Sequence, residues 1–146
     1  MTKLSYLAFA ALLFLWLSCT VEPEKINYGS EACHFCKMTI VDRQHAAQYV
    51  TKKGKQFKFD AIECMVNDLS DKEVEKIALL LVADYMEPGK MIPASQATFL
   101  ISKEIKSPMG ANLSAFSSVQ AANLVKNKNG GEVYDWLALL KKFDAE

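Results

Sequence analysis

Apolar and polar residues alternate over several short stretches of the chain, and this pattern predicts strands separated by turns. In the first half, apolar residues at helical spacing also predict a helix over residues 60–69, which Asp60 and Glu63 would open as a capping box. A continuous apolar run near residue 80 is typical of a buried strand. The predicted strands of this half are residues 38–41, 46–51, 55–59 and 77–82.

The second half of the chain shows a similar succession of elements. A helix is predicted over residues 117–126, with Ser117 as its cap and Gln120 at the capping-box position, and Asp135 is predicted to begin a last helix. The segments 59–63 and 116–120 match in residue type at each position. This match indicates either an internal duplication or a chance similarity between two helix starts. The predicted strands of this half are residues 97–102, 112–116 and 132–134.

These elements predict an α+β fold made of two small ββαβ-like halves, a pseudo-repeat packed as one compact domain. The first half would comprise residues 28–87 and the second half residues 88–146. Residues 1–18 would form a signal peptide, and residues 19–27 a polar tether that joins it to the domain.

The N-terminal segment resembles the signal of a bacterial lipoprotein. Lys3 is followed by a mostly apolar stretch over residues 4–17, which is shorter than the roughly 20 residues of a membrane-spanning helix. Ser18 and Cys19 then stand at a typical lipoprotein cleavage site, so that Cys19 would become the first mature residue and carry acyl chains. We therefore expect a lipid-anchored protein of the bacterial cell envelope, on the periplasmic side. The alternative is an uncleaved anchor helix with an incidental cysteine.

Charge and cysteine content narrow the function classes. The chain has 17 Lys and Arg residues against 17 Asp and Glu residues and shows no basic tract, which argues against nucleic-acid binding. Beyond Cys19 only Cys33, Cys36 and Cys64 remain. An odd number of cysteines outside the cytosol argues against a simple disulfide framework and indicates at least one functional thiol.

The segment from Cys33 to Met38 concentrates metal-binding side chains, since it holds two thiols, an imidazole and a thioether within six residues. Thiolate and thioether donors together favour Cu(I) over harder ions. If the chain is extended here, Cys36 and Met38 project on the same side and can bind one ion. Met109, in a Pro-Met-Gly turn, is a candidate further ligand, and Cys33 and His34 are candidate exchange ligands.

Other interpretations of the same residues stay open. Cys33 and Cys36 have the CxxC spacing of thiol–disulfide oxidoreductases. Zinc could be bound by the three cysteines with His45, although this leaves Met38 without a role. Cys64 lies beside the apolar stripe of its predicted helix, so it is either a buried structural residue or a metal ligand. A structural Cys33–Cys36 disulfide in an interaction domain is a further reading. No acid–base pair, phosphate-binding loop or nucleophile triad is evident, so we expect a binding protein and not an enzyme.

Several of these motifs together resemble the nitrous-oxide reductase accessory protein family, NosL. The resemblance extends over the mature chain, and the family's Cys-x-Met ligand pair corresponds to Cys36 and Met38 and its Met-Gly turn to Met109. Cys33 and Cys64 are absent from many members, so a second thiolate could replace the thioether here. The motifs that carry the resemblance are Tyr28-Gly29, Cys33-x-x-Cys36-x-Met38-x-Ile40-x-Asp42, Ala46-Ala47, Gly54-Lys55, Phe59-Asp60, Cys64 and Pro108-Met109-Gly110.

The resemblance implies a function as well as a fold. Members are envelope lipoproteins that bind one Cu(I) and pass it toward maturation of nitrous-oxide reductase, and their fold is described as two related ββαβ halves. The expected partners are therefore the copper ion, the membrane through the lipid anchor, and either maturation proteins or the apo-reductase as copper acceptor.

Overall fold

A computed structural model describes residues 20–145 of the chain. The predicted signal peptide and the predicted lipid attachment at Cys19 lie outside these residues. Within the described part of the chain, no helix has the length and apolar character needed to cross a bilayer.

Short strands and helices alternate along the described chain, as the hydrophobic pattern predicts. Single turns of 3-10 helix at Val74–Lys76 and Ala94–Gln96 lead into two of the strands. The strands are β1 (Ala47–Thr51), β2 (Gln56–Phe59), β3 (Ile77–Ala83), β4 (Met91–Pro93), β5 (Thr98–Ile101), β6 (Leu113–Phe116) and β7 (Glu132–Tyr134). The α-helices are α1 (Ile62–Leu69), α2 (Val119–Asn129) and α3 (Trp136–Asp144).

The strands form two antiparallel sheets with related connections. The first sheet has the order β2-β1-β3-β4, and the second has the order β6-β5-β7. In each sheet the first strand in sequence lies between the next two, and an α-helix, α1 or α2, separates those two in the chain. The described residues thus form an α+β domain in which both halves contain a β-β-α-β succession.

One main core joins the two halves. The buried side chains of Tyr49 and Phe59 from the first sheet belong to the same apolar cluster as those of Phe99 and Leu139 from the second half. An isolated parallel bridge between Asp84 and Ala115 also connects the sheets. Burial of apolar surface is the dominant favourable term in folding, so this shared core makes the two halves one compact unit.

Some local predictions were wrong at the boundaries of elements. Residues 38–41 are not a strand, because only Thr39 pairs, in an isolated bridge with Ala32. Helix α1 begins after Ala61 without a side-chain cap, so Asp60 and Glu63 do not form the predicted capping box. At α2, the cap is Ser118, whose hydroxyl accepts a hydrogen bond from the Ala121 N–H, one residue later than predicted.

The last helix begins as predicted. The Asp135 carboxylate accepts a hydrogen bond from the Ala138 N–H at 2.8 Å, and this satisfies a backbone donor that the helix leaves free.

The segment predicted to be a tether contacts the first sheet. Residues 20–27 have no regular secondary structure, yet Lys58 Nζ donates to the carbonyl of Lys25 at 2.8 Å. The Gln56 side chain donates to the carbonyl of Glu22 and accepts from the N–H of Glu24. Since both side chains belong to β2, these contacts hold the segment from Glu22 onward against that edge strand.

Candidate metal centre

A tight loop between Ala32 and Thr39 carries four of the predicted or candidate ligands, namely Cys33, His34, Cys36 and Met38. The Cys33 N–H donates to the Met38 carbonyl at 2.8 Å, and the Lys37 N–H donates to the Cys33 carbonyl at 3.1 Å. Lys37 has a φ of 65°, in the left-handed region that lets the chain reverse over few residues. The loop therefore turns the chain back on itself between the two cysteines and the methionine.

Contacts with β2 fix this loop on the sheet. The His34 N–H donates to the Lys58 carbonyl at 2.8 Å. The His34 ring lies edge-on to Phe57, with ring centroids 4.7 Å apart, and its Nε2 is 3.9 Å from an Asp68 carboxylate oxygen. His34 thus positions the loop through its backbone and packs its side chain on the sheet.

The loop and α1 bring three sulfurs together. The Sγ atoms of Cys33, Cys36 and Cys64 all lie within 4.8 Å of one another, and within the described part of the chain none of the three forms a disulfide. Cys33 and Cys64 are buried, whereas Cys36 is partly exposed. Two residues, Asp60 and Ala61, separate β2 from α1. This short connection places Cys64, in the first turn of α1, beside the loop that β2 holds.

The three thiols share their protons unequally. The Cys64 thiol donates a hydrogen bond to Cys33 and so lowers the pKa of Cys33 to about 4, against the opposing effect of burial; the backbone N–H groups of Asp60 and Cys36 also favour the thiolate. The same hydrogen bond raises the pKa of Cys64, and burial raises it further. Burial is also the main cause of the raised pKa of Cys36. These shifts favour the thiolate, which is the form that binds metal, at Cys33 over the other two cysteines.

Asp60 lies next to this cluster. Burial raises the pKa of its carboxyl group, while a hydrogen bond that it accepts from the Val41 N–H at 3.4 Å opposes the rise. The neighbouring Cys33 thiolate raises it further. Asp60 therefore connects the end of β2 with the chain that follows the cysteine loop, and does not cap α1.

The two methionines predicted as ligands are accessible. Met38 is 54% exposed and Met109 is 42% exposed. The expectation that Cys36 and Met38 share a strand face is wrong, because the chain turns at Lys37 instead of continuing extended. The assignment of Met38 and Met109 as ligands stays a prediction.

Glu63 is a buried residue whose role the sequence did not reveal. It precedes Cys64 in α1, and its Oε1 accepts hydrogen bonds from the Ser107 hydroxyl and, at 3.3 Å, from the Ala111 N–H. These contacts join α1 to the turn that contains Met109. The spacing of Asp60 and Glu63 suggested a helix cap, and no local signal indicated a partner 44 residues away.

His45 is committed elsewhere in the fold. Its Nδ1 lies 2.8 Å from an Asp42 carboxylate oxygen, and its Nε2 lies 3.1 Å from the Ser114 hydroxyl. Both ring nitrogens therefore have partners away from the cysteines. Among residues 20–145, the only group of three or more His, Cys, Asp or Glu side chains close enough to share a metal ion is the three-cysteine cluster. The predicted fourth zinc ligand is thus absent from it.

The fold and the cluster define the class of protein: a small α+β domain with three converging thiols that could bind a metal ion. The family model of NosL matches residues 25–142. The chain belongs to the NosL family, as its sequence motifs suggest.

A solved structure supports the fold. The crystal structure of the copper chaperone NosL from Shewanella denitrificans superposes with a TM-score of 0.70 at 22% sequence identity, over 80% of this chain and 94% of that one. Curated proteins yielded no match.

Proposed function

We propose that the protein is a copper chaperone: it binds one Cu(I) ion and hands it to an acceptor during maturation of nitrous-oxide reductase. The convergence of three sulfurs within 4.8 Å carries this proposal. Soft thiolate donors select Cu(I), and the family membership of the chain supports copper as the cargo. The crystal structure of similar fold is itself described as that of a copper chaperone.

Cys36 is the central ligand in this proposal. Cys36 belongs to the cluster and is the one of its three cysteines that is partly exposed. Cys33 supplies the sulfur whose lowered pKa favours the thiolate, and Met38 and Met109 supply thioethers of exposed residues. Cys64 and His34 are additional candidate ligands. A site with a partly exposed sulfur lets an acceptor displace the donors one at a time.

We also propose that the protein is a lipoprotein of the bacterial cell envelope, anchored through Cys19. The apolar stretch before Cys19 and the polar residues after it support this proposal. Because Glu22 is hydrogen-bonded to Gln56 of β2, at most Thr20 and Val21 would separate a lipidated Cys19 from the folded part. The anchor would then hold the copper site near the membrane, on its periplasmic side.

Cu(I) titration against a competing chelator tests copper binding. The reduced protein should bind one Cu(I), and Cys36→Ser should weaken the binding strongly. Ser70, which lies on the far end of α1 and is exposed, offers a control in Ser70→Ala that should bind as the wild type does. Equal affinity of the wild type and Cys36→Ser would discard the assignment. X-ray absorption of the loaded protein should show short bonds dominated by sulfur.

Thiol–disulfide exchange is a second candidate function. The lowered pKa of Cys33 and the proximity of two further thiols favour it, because a thiolate is the attacking species in such exchange. Turnover with a dithiol substrate separates the two functions. If the protein is a copper chaperone, Met38→Leu should weaken copper binding. If it is an oxidoreductase, loss of Cys33 should abolish turnover and Met38→Leu should leave turnover unchanged.

A further inference from the structure

The turn that carries Met109 is closed by its own hydrogen bonds. The Gly110 N–H donates to the Ser107 carbonyl at 3.1 Å, and the Asn112 N–H donates to the Ser107 hydroxyl at 2.9 Å. Asn112 has a φ of 57°, so the chain leaves the turn in the left-handed region. Ser107 is thus the residue on which both ends of the turn meet.

One side chain outside the turn reaches this residue. Glu63 Oε1 accepts from the Ser107 hydroxyl and from the Ala111 N–H, on either side of Met109. Both Glu63 and Ser107 are buried. The carboxylate therefore accepts hydrogen bonds from residues before and after Met109, while the Met109 side chain stays accessible.

Stability alone does not account for this contact. A buried carboxylate is costly unless all its lone pairs are satisfied, and Glu63 Oε2 has no hydrogen-bond partner among residues 20–145. A well-packed apolar side chain would often be as stable at such a position. An acidic residue in the first helical turn is favoured by the helix dipole, but that effect needs no contact with a distant turn.

We propose that Glu63 is a positioning residue that fixes the Met109 thioether relative to the cysteine cluster. Glu63 and Cys64 are adjacent in α1, so the same helical turn carries a sulfur of the cluster and the carboxylate that holds the methionine turn. Ser107 is its partner and acts through the same hydrogen bond. This inference rests on the proposed function, since it concerns the arrangement of donors for Cu(I).

A double-mutant cycle on Cu(I) affinity tests the proposal with the purified, reduced protein and a competing chelator. Residues that orient metal ligands typically contribute about 10–100-fold in affinity. Glu63→Ala and Ser107→Ala should each weaken Cu(I) binding by about this factor in the wild-type background. In the Met109→Leu background, neither change should weaken binding further, because the thioether that they position is already gone.

A matched control distinguishes positioning from general destabilisation. Ser114→Ala also removes a buried hydroxyl and a hydrogen bond to a side chain, that of His45, but does not touch the Met109 turn. It should leave Cu(I) affinity unchanged. Losses from Ser107→Ala that persist undiminished in the Met109→Leu background would overturn the proposal, as would a Met109→Leu change without any effect on affinity.

Hydrogen exchange of the metal-free protein supplies a readout independent of copper. Ser107→Ala should speed the exchange of the Gly110 and Asn112 amides and leave that of β1 unchanged. Unchanged exchange of these two amides would refute the proposed positioning role of Glu63 and Ser107, even if Glu63→Ala failed to fold. Absence of Cu(I) binding by the wild type would instead refute the proposed function, so the two failures are separable.

Discussion

Gly131 is the position where a single methyl group should perturb the fold most. It precedes β7, and a Cβ atom built on it would lie 2.2 Å from the carbonyl oxygen of Ile101 and 3.0 Å from Cα and Cβ of Ser102. Its φ is 105°, a conformation that residues with a Cβ rarely adopt. The obstacle is backbone, which cannot move without breaking the pairing of β5 with β7.

The expected magnitude follows from two contributions. Backbone strain of an alanine at positive φ contributes about 1–3 kcal/mol, and forcing atoms into filled space adds about 1–3 kcal/mol or more. Gly131→Ala should therefore lower the free energy of unfolding by about 2–6 kcal/mol. Gly54→Ala is the matched control, since Gly54 has a φ of 81° and no atom of the described residues beyond its chain neighbours lies within 4 Å of its Cβ position. It should show the strain alone, about 1–3 kcal/mol.

Urea unfolding followed by circular dichroism measures both variants. Small domains are stable by about 5–15 kcal/mol, so Gly54→Ala should remain folded and Gly131→Ala should unfold at a markedly lower urea concentration. Any gain from a stiffer unfolded chain applies to both variants and cancels in the comparison. Equal losses in the two variants would show that the close approach of Gly131 to β5 does not exist in solution.

Three further predictions concern single side chains. The ultraviolet absorbance of the reduced protein should show one thiolate at pH 6, and Cys33→Ser should lose it. Because folding lowers the pKa of Cys33 from 9.0 to about 4, the contribution of this thiolate to stability is complete above pH 9 and is lost as the pH falls toward 4. The free energy of unfolding of Cys33→Ser should therefore depend less on pH over that range. Tyr49→Phe should lower the free energy of unfolding by about 1–3 kcal/mol, because it removes the hydroxyl that donates to the Asp68 carboxylate at 2.8 Å, and urea denaturation checks this. Asp135→Ala should lower it by about 1 kcal/mol through loss of the helix cap, whereas Asp135→Asn should retain most of the stability in the same assay.

Elements set by local pattern could be predicted from the sequence. Alternating apolar residues locate β1 and β5, whose partners lie close in the chain, and Asp135 is a cap whose acceptor and donor are three residues apart. A short stretch of sequence contains the whole of each signal, because neither the spacing of apolar residues nor a helix cap depends on a distant residue. The same holds for the cysteine motif, whose residue types alone indicated a soft metal.

Residues with distant partners could not be predicted in this way. Asp60 and Glu63 have the spacing of a capping box. The Asp60 carboxylate instead accepts a hydrogen bond from the Val41 N–H, 19 residues away, and the Glu63 carboxylate accepts one from the Ser107 hydroxyl, 44 residues away. The tertiary contacts override the local preference for a helix cap, and a short stretch of sequence does not contain both partners of these contacts. Cys64 was equally ambiguous, because a cysteine beside an apolar stripe is most often a buried structural residue.

The place of Cys64 shows how the fold determines the order in which a bound ion would be exchanged. Cys33 and Cys64 are buried, and Cys36 alone of the three cysteines is partly exposed. On the proposed function, an acceptor approaching from solvent would therefore reach Cys36 before the two buried cysteines, and the ion would leave those two last. Cys36→Ser should then weaken binding and also remove the sulfur through which an acceptor starts the exchange, so that the rate of transfer no longer rises with acceptor concentration. Cys64→Ser should weaken retention and speed transfer. The two variants should differ because Cys36 is partly exposed whereas Cys64 is buried.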